Sequence, residues 1–199
     1  MTNNLPPPTG LAFAGDGLLA EEVKRLISRY GIRSAVETGT YQGCTTRALA
    51  AMVPAVYTIE ISPDMFAESG ERLAGVPNVR RYCGASPDVL PGLLPQIERP
   101  ALYYLDAHWN GNYPLPREVE IIAEHDPRPV ILMHDMLVPG HPELHADPQP
   151  DGSPYCLEWV RPGLEKIKAP WRHYYNEVAE GLQIGILFVT PDDPGGDPG

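Results

Sequence analysis

At 199 residues and 21.8 kDa the chain fits one ordinary domain and leaves no room for two full ones. Its 43% hydrophobic content includes no apolar run near the about 18 residues that a bilayer crossing needs, which excludes a spanning role and a membrane partner. Lys and Arg total 15 against 26 Asp and Glu, and the net charge of -11 opposes nucleic-acid binding, which needs clustered cations.

Residues 1–9 and 191–199 are rich in proline or glycine, which predicts flexible ends around a single domain over residues 10–190. The start has neither the basic stretch nor the apolar region of a secretory signal, so a cytoplasmic protein is expected. Within residues 18–30, Leu19, Val23, Leu26 and Ile27 recur at helical spacing, and Gly31 supplies the stop. Residues 34–38 read as a strand ending in an acid, residues 39–43 as a tight turn and residues 44–52 as a helix. A second strand covers 55–60, and a helix follows from Pro63 to residue 73. A third, weaker strand covers 79–83, after which Ser86 is expected to cap a helix with Pro87 at its first position. Residues 101–105 form a fourth strand ending at Asp106, residues 115–124 a helix, and residues 130–133 a fifth strand ending at His134 and Asp135. Residues 156–168 read as a helix broken at Pro162, and strands at 171–178 and 182–189, joined only by Ala179, Glu180 and Gly181, predict a hairpin. Cys44, Cys83 and Cys156 are odd in number and widely spaced, so free thiols are expected. Cys44 either has a thiol pKa lowered by its place at a helix head or is simply a small residue behind the turn.

Buried strands alternating with helices predict a doubly wound α/β fold, a parallel sheet covered on both faces. Right-handed crossovers put the carboxyl ends of the parallel strands on one edge. Glu37, Glu60, residues 84–86, Asp106, His134 and Asp135 each follow a strand, so they converge on the crevice where such folds bind ligands. Gly39 and Gly43 permit a close approach of backbone to ligand, and an acid about 20 residues on, Glu60, suits a ribose diol. The turn lacks the glycine patterns of dinucleotide and ATP sites, while Glu37 favours a cation such as an ammonium or sulfonium. A nucleoside is the implied ligand.

The runs Val-Glu-Thr-Gly-Thr-Tyr-Gln-Gly-Cys-Thr-Thr from Val36, Tyr-Thr-Ile-Glu ending at Glu60, Gly-Ala-Ser ending at Ser86, and Tyr-Leu-Asp-Ala-His-Trp ending at Trp109 resemble successive motifs of class I S-adenosylmethionine-dependent methyltransferases. The closer likeness is to small-molecule O-methyltransferases of the catechol and macrocin type, with cephalosporin hydroxylase-like proteins nearby. The resemblance implies a seven-stranded, mostly parallel, Rossmann-like sheet, with one strand reversed by a C-terminal antiparallel hairpin. It also implies that Glu37, Gly39, Thr40 and Gly43 hold the methionine end of S-adenosylmethionine, Glu60 the ribose and Ala85 with Ser86 the adenine edge, and that Asp106 lies against the cofactor. The implied activity is methyl transfer to an oxygen of a small-molecule acceptor, such as a sugar or phenolic hydroxyl.

Asp106, His108, His134 and Asp135 follow strands expected to be neighbours at about 4.8 Å, so their side chains are able to share one ion. The resemblance implies a divalent cation, and Asp106, His134 and Asp135 are its candidate ligands, with Mg, Mn, Fe or Zn as the candidate ions. Two features depart from the catechol pattern: Met136 replaces an Asn ligand, and Asn110 after Trp109 leaves no counterpart for the lysine base. Two chemistries stay open. A metal lowers the acceptor hydroxyl's pKa, or His108 or His134 takes the proton directly, with Asp106 supporting either. A metal-dependent hydroxylase-like enzyme and a non-catalytic nucleoside-binding module are the rival functions. Residues 140–155, with His141 and His145, read as a mobile surface loop or substrate lid. Trp109, Tyr113, Tyr155 and Trp159 supply either an aromatic acceptor wall or core. Acceptor recognition falls to residues 110–116 and 136–160, with a second copy of the chain as a candidate partner.

Overall fold

The computed structural model describes residues 10–108 and 113–192. The expected flexible segment 1–9, most of the tail, and Trp109 with residues 110–112 lie outside the described residues. The elements in chain order are α1 (Gly17–Tyr30), β1 (Ser34–Thr38), α2 (Cys44–Ala50), β2 (Ala55–Glu60), α3 (Pro63–Arg72), β3 (Val79–Cys83), α4 (Ser86–Leu93), β4 (Ala101–Leu105), α5 (Leu115–His125), β5 (Val130–Met133), α6 (Leu157–Leu164), β6 (Trp171–Tyr175) and β7 (Leu187–Pro191). They build one seven-stranded sheet in the order β3-β2-β1-β4-β5-β7-β6. Neighbours are parallel from β3 through β5, and β7 runs antiparallel to both β5 and β6. The chain leaves β1 toward β2 on one side and resumes at β4 on the other, so the crevice between the ends of β1 and β4 is the topological switch point.

Alternation along each strand divides the core between the two faces. Val36, Tyr103, Leu105, Ile131 and Met133 face α4, α5 and α6 through Leu90, Val119, Ile122, Val160 and Leu164. Ala35, Val56, Leu102, Tyr104 and Leu132 face α1 and α2 through Leu19, Val23, Leu26 and Leu49. The two buried layers fix the register, because a one-residue slip would exchange the faces of a strand. No helix among the described residues is long and apolar enough to cross a membrane.

Asp16 caps α1, its carboxylate accepting from the amides of Leu18 at 2.8 Å and Leu19 at 3.1 Å. Asp16→Ala is expected to cost about 1 kcal/mol, read as a lowered thermal midpoint, since it orphans both donors. Ser86 does not cap α4 as predicted; Ala85 is the N-cap residue and makes no side-chain cap bond. The Ser86 hydroxyl instead donates to Glu118 on α5.

The terminal hairpin forms with shorter strands than the sequence predicts. Residues 182–185 leave the β6–β7 ladder because their backbone groups pair elsewhere. The Leu182 amide donates to Ala14 at 3.1 Å, the His145 amide to Gln183 at 2.7 Å, the Gly185 amide to His145 at 2.9 Å and the Met136 amide to Gly185 at 2.8 Å. Asn176 closes the shortened ladder, its side chain donating to Ile184 at 2.8 Å and accepting from the Ile186 amide at 2.6 Å. Residues 140–155, expected as a surface loop or substrate lid, share in these bonds. That segment is laced to the terminal connection at His145, and to the end of β5 where the Asp147 amide donates to the Asp135 carbonyl at 2.9 Å.

Candidate active site

Each strand ladder continues one residue past its strand at the carboxyl edge. The amides of Gly39, Gly84, Asp106 and His134 donate to Ile59, Glu60, Thr38 and Leu105, at 3.0, 2.9, 3.1 and 3.0 Å respectively. The residues that begin the loops are thereby held by the sheet itself. A cleft of about 320 Å3 opens over this edge, within the range of small-molecule sites, with Gly39, Tyr41, Glu60, Ser86, Asp106 and His108 among its lining. Ile59, Ile61 and Met65 add an apolar wall.

Glu60 is buried, and its two oxygens accept from the amides of Tyr41 at 2.8 Å and Ser62 at 2.9 Å. These bonds aim the carboxylate into the cleft and leave each oxygen with a second lone pair. Gly39 has φ +86, and a Cβ there would stand 2.3 Å from the Asp106 carbonyl oxygen, so only glycine lets β1 and β4 come this close.

Glu37, Thr40 and Gly43 stand behind the turn rather than along the cleft lining. Glu37 is buried, accepting from the hydroxyls of Thr46 and, at 2.6 Å, Thr58. The Thr40 hydroxyl pairs with that of Thr58 at 2.6 Å, and Gly43 caps α2 against Leu73. Burial raises the Glu37 carboxyl to about 8, against the two threonine bonds. Burial likewise raises Glu118 to about 7, against its bond from Ser86. Cys44 donates to the Gly10 carbonyl at 3.2 Å, and burial pushes its thiol up instead of down, correcting the lowered-thiol alternative.

At the other side of the cleft the expected quartet comes together with a fifth residue that the sequence reading missed. His134 Nδ1 lies 3.5 Å from Asp106 Oδ1 and 3.3 Å from Asp135 Oδ2. His108 Nδ1 lies 3.5 Å from Asp135 Oδ2 and 3.2 Å from Asp147 Oδ2, Asp147 arriving on the loop that follows β5. Burial raises Asp106 to about 6, against the pull of His134. Burial also opposes charge on His134, but Asp106, Asp135 and Asp147 outweigh it and raise the imidazole to about 9. Asp135 is buried too, yet its hydrogen bond with His134 and the neighbouring imidazoles hold its carboxyl below the usual range. Tyr155 meets Trp159 in a tilted pair at 4.6 Å and Tyr113 edge-on at 6.3 Å, so these aromatics join the core beside the cluster.

No protein-family model matches the sequence, and no curated protein sequence matches it. Solved structures do match in shape. The O-methyltransferase TomG of Streptomyces achromogenes, which is involved in tomaymycin synthesis and was solved with S-adenosylmethionine, superposes with a TM-score of 0.64 at 18% identity over 88% of this chain and 80% of TomG. An O-methyltransferase of Bacillus cereus, solved with S-adenosylhomocysteine, gives 0.62 at 19% identity over 87% of this chain and 81% of its own. CalS10 of Micromonospora echinaspora, an amino pentose methyltransferase of calicheamicin biosynthesis, gives 0.58 at 14% identity over 86% and 89%. The chain has the methyltransferase fold. Within that fold its cleft occupies the switch-point crevice reached above from the strand order alone.

The buried ionisable groups give this methyltransferase-fold protein a definite pH response. Glu37, with a folded pKa of about 8 against an ordinary 4.5, keeps a proton that the unfolded chain has lost between those values, so stability falls as pH rises through that window. Glu118 and Asp106 act in the same direction. His134, raised from 6.5 to about 9, contributes stability that is fully present below 6.5 and is lost as pH rises through 9. The thermal midpoint, measured with a chelator present, is therefore expected to fall from about pH 5 toward about pH 9. Glu37→Gln should flatten the part of that decline between 4.5 and 8; an unchanged slope would contradict a protonated Glu37.

Proposed function

We propose that the chain transfers a methyl group from S-adenosylmethionine to an oxygen of a small molecule. The observation that carries this reading is the juxtaposition, on one sheet edge, of a nucleoside-sized cleft containing Gly39, Glu60 and Ser86 with a His-Asp cluster that begins at Asp106. The likeness of the fold to TomG and the Bacillus cereus O-methyltransferase supports it.

S-adenosylmethionine, when bound, would supply a sulfonium methyl: an O–C bond forms in line as the C–S bond breaks, S-adenosylhomocysteine leaves, and the acceptor hydroxyl gives up its proton. Glu60 binds the ribose hydroxyls with the lone pairs that Tyr41 and Ser62 leave over. Ser86, held by Glu118, presents a hydroxyl at the adenine edge. Glu37 braces the turn from behind through Thr46 and Thr58, which fixes Gly39 against β4. Ile59, Ile61 and Met65 exclude water along the apolar wall. His108, in the cleft lining, takes the acceptor proton when the cluster holds no metal.

The donor set also fits a divalent cation on Asp106, His134 and Asp135. Their ligand atoms lie within 4.8 Å of one another, and His134 Nδ1 faces both carboxylates, 3.5 Å from Asp106 Oδ1 and 3.3 Å from Asp135 Oδ2. A bound cation would acidify the acceptor hydroxyl as a Lewis acid. Incubation with methyl-labelled S-adenosylmethionine and a panel of sugars, amino sugars and phenols, with and without Mn(II), tests the reading. Label recovered in an acceptor ether is expected. Binding of S-adenosylhomocysteine with no transfer to any acceptor would assign a nucleoside-binding module instead.

A further inference from the structure

His108 and Asp147 are not needed for the cation position just described, yet they complete a second ligand triad beside it. His108, Asp135 and Asp147 bring their ligand atoms within 4.8 Å of one another, as Asp106, His134 and Asp135 do, and Asp135 belongs to both groups. We propose that the cluster holds two divalent cations, one on Asp106 and His134 and one on His108 and Asp147, with the Asp135 carboxylate between them. The inference rests on the cation reading above and adds a second ion to it.

The distances favour ligation over direct pairing. A charge-assisted His-carboxylate hydrogen bond is about 2.7–2.9 Å long. This chain makes two of that length nearby, His141 to Glu143 and His145 to Asp147, both at 2.9 Å. The four imidazole-carboxylate separations inside the cluster are 3.5, 3.3, 3.5 and 3.2 Å. Donors bound to one ion at about 2.0–2.2 Å stand roughly 3.0–3.5 Å apart at octahedral or tetrahedral angles, which is the spacing seen. Two ions sharing a carboxylate at about 3.5–4 Å form a recognised catalytic arrangement.

The surroundings orient these donors. Asp135 takes a left-handed backbone at φ +59 and is buried, and its carbonyl accepts the Asp147 amide at 2.9 Å, which fixes the loop carboxylate over it. His145 Nε2 holds Asp147 Oδ1, leaving Oδ2 toward His108, as an outer partner holds a metal-ligating carboxylate. The Tyr155 hydroxyl is buried without a protein partner and feels the charges of Asp147 and Asp135. Charge balance points the same way. Three carboxylates exceed one divalent ion by a unit, whereas two ions leave a unit of positive charge to favour an ionised acceptor oxygen. The mixed nitrogen and oxygen donors suit Mn, Fe or Zn better than Ca. With both ions bound His108 is a ligand, and acidification of the acceptor replaces proton transfer to its ring.

The test is a titration of the chelator-stripped full chain with Mn(II), read by metal analysis and electron paramagnetic resonance, with S-adenosylhomocysteine affinity measured in parallel by calorimetry. Two Mn(II) per chain and an exchange-coupled signal are expected. Asp147→Asn should lose one ion and the coupling, Asp106→Asn should lose the other ion, and Asp147→Asn should keep its nucleoside affinity. A single ion in the unaltered protein, or two coupled ions retained in Asp147→Asn, would overturn the second position. No bound Mn(II) alongside intact nucleoside binding would remove both cation positions while leaving the methyl-transfer reading standing; loss of nucleoside binding itself would remove that reading.

Discussion

Replacing Gly39 by alanine is expected to destabilise the protein by about 2–6 kcal/mol and to abolish nucleoside binding. Two costs add: about 1–3 kcal/mol for holding a side chain in a sparsely populated backbone region, and about 1–3 kcal/mol for overpacking. The overpacking is severe because the new Cβ would stand 2.3 Å from the Asp106 carbonyl oxygen and 2.9 Å from its carbonyl carbon, both backbone atoms bound into the ladder. The structure supplies its own control. Gly31 also has a positive φ, +58, but nothing lies within 4 Å of its Cβ position, so Gly31→Ala carries only the backbone cost. Denaturant midpoints for the pair should differ clearly; equal losses would mean that the contact between β1 and β4 is looser than described.

Glu60→Ala is expected to weaken S-adenosylhomocysteine binding by about 1.5–3 kcal/mol, roughly 12- to 150-fold, the range for hydrogen bonds to a charged group. Part of the loss is indirect. The carboxylate accepts the amides of Tyr41 and Ser62, so its removal frees the turn after β1 as well as the ribose contact. Glu60→Gln retains one acceptor oxygen and should fall between the two. Calorimetry on folded variants separates the contributions, and an unchanged affinity in Glu60→Ala would return this residue to a purely structural role.

The five parallel strands and the convergence of Glu60, Asp106, His134 and Asp135 were legible in the sequence, because strands buried on both faces read as apolar runs and topology fixes which ends meet. Glu118 was missed although a signal existed. It falls with Leu115, Val119 and Ile122 on the buried stripe of α5, where an acid has no reason to be unless it has a partner, here Ser86. Asp147 carried no such signal. Its neighbours Ala146 and Pro148 set no period, and its position follows from long-range backbone bonds of the loop to Asp135 and Tyr155. The terminal connection was misjudged for the same reason, since residues 182–185 look like strand locally and are claimed by Ala14, His145 and Met136. Periodicity reports which face is buried. It does not report which irregular segment takes a backbone partner.

An electron-density map of crystals soaked with S-adenosylhomocysteine decides whether the cleft over β1, β2 and β4 is an S-adenosylmethionine site. Both ribose hydroxyls are expected within hydrogen-bonding distance of the Glu60 carboxylate, adenine against Ser86, and the sulfur facing Asp106 and His108. Density for the nucleoside elsewhere on the chain, or a ribose placed away from Glu60 in this cleft, would contradict it.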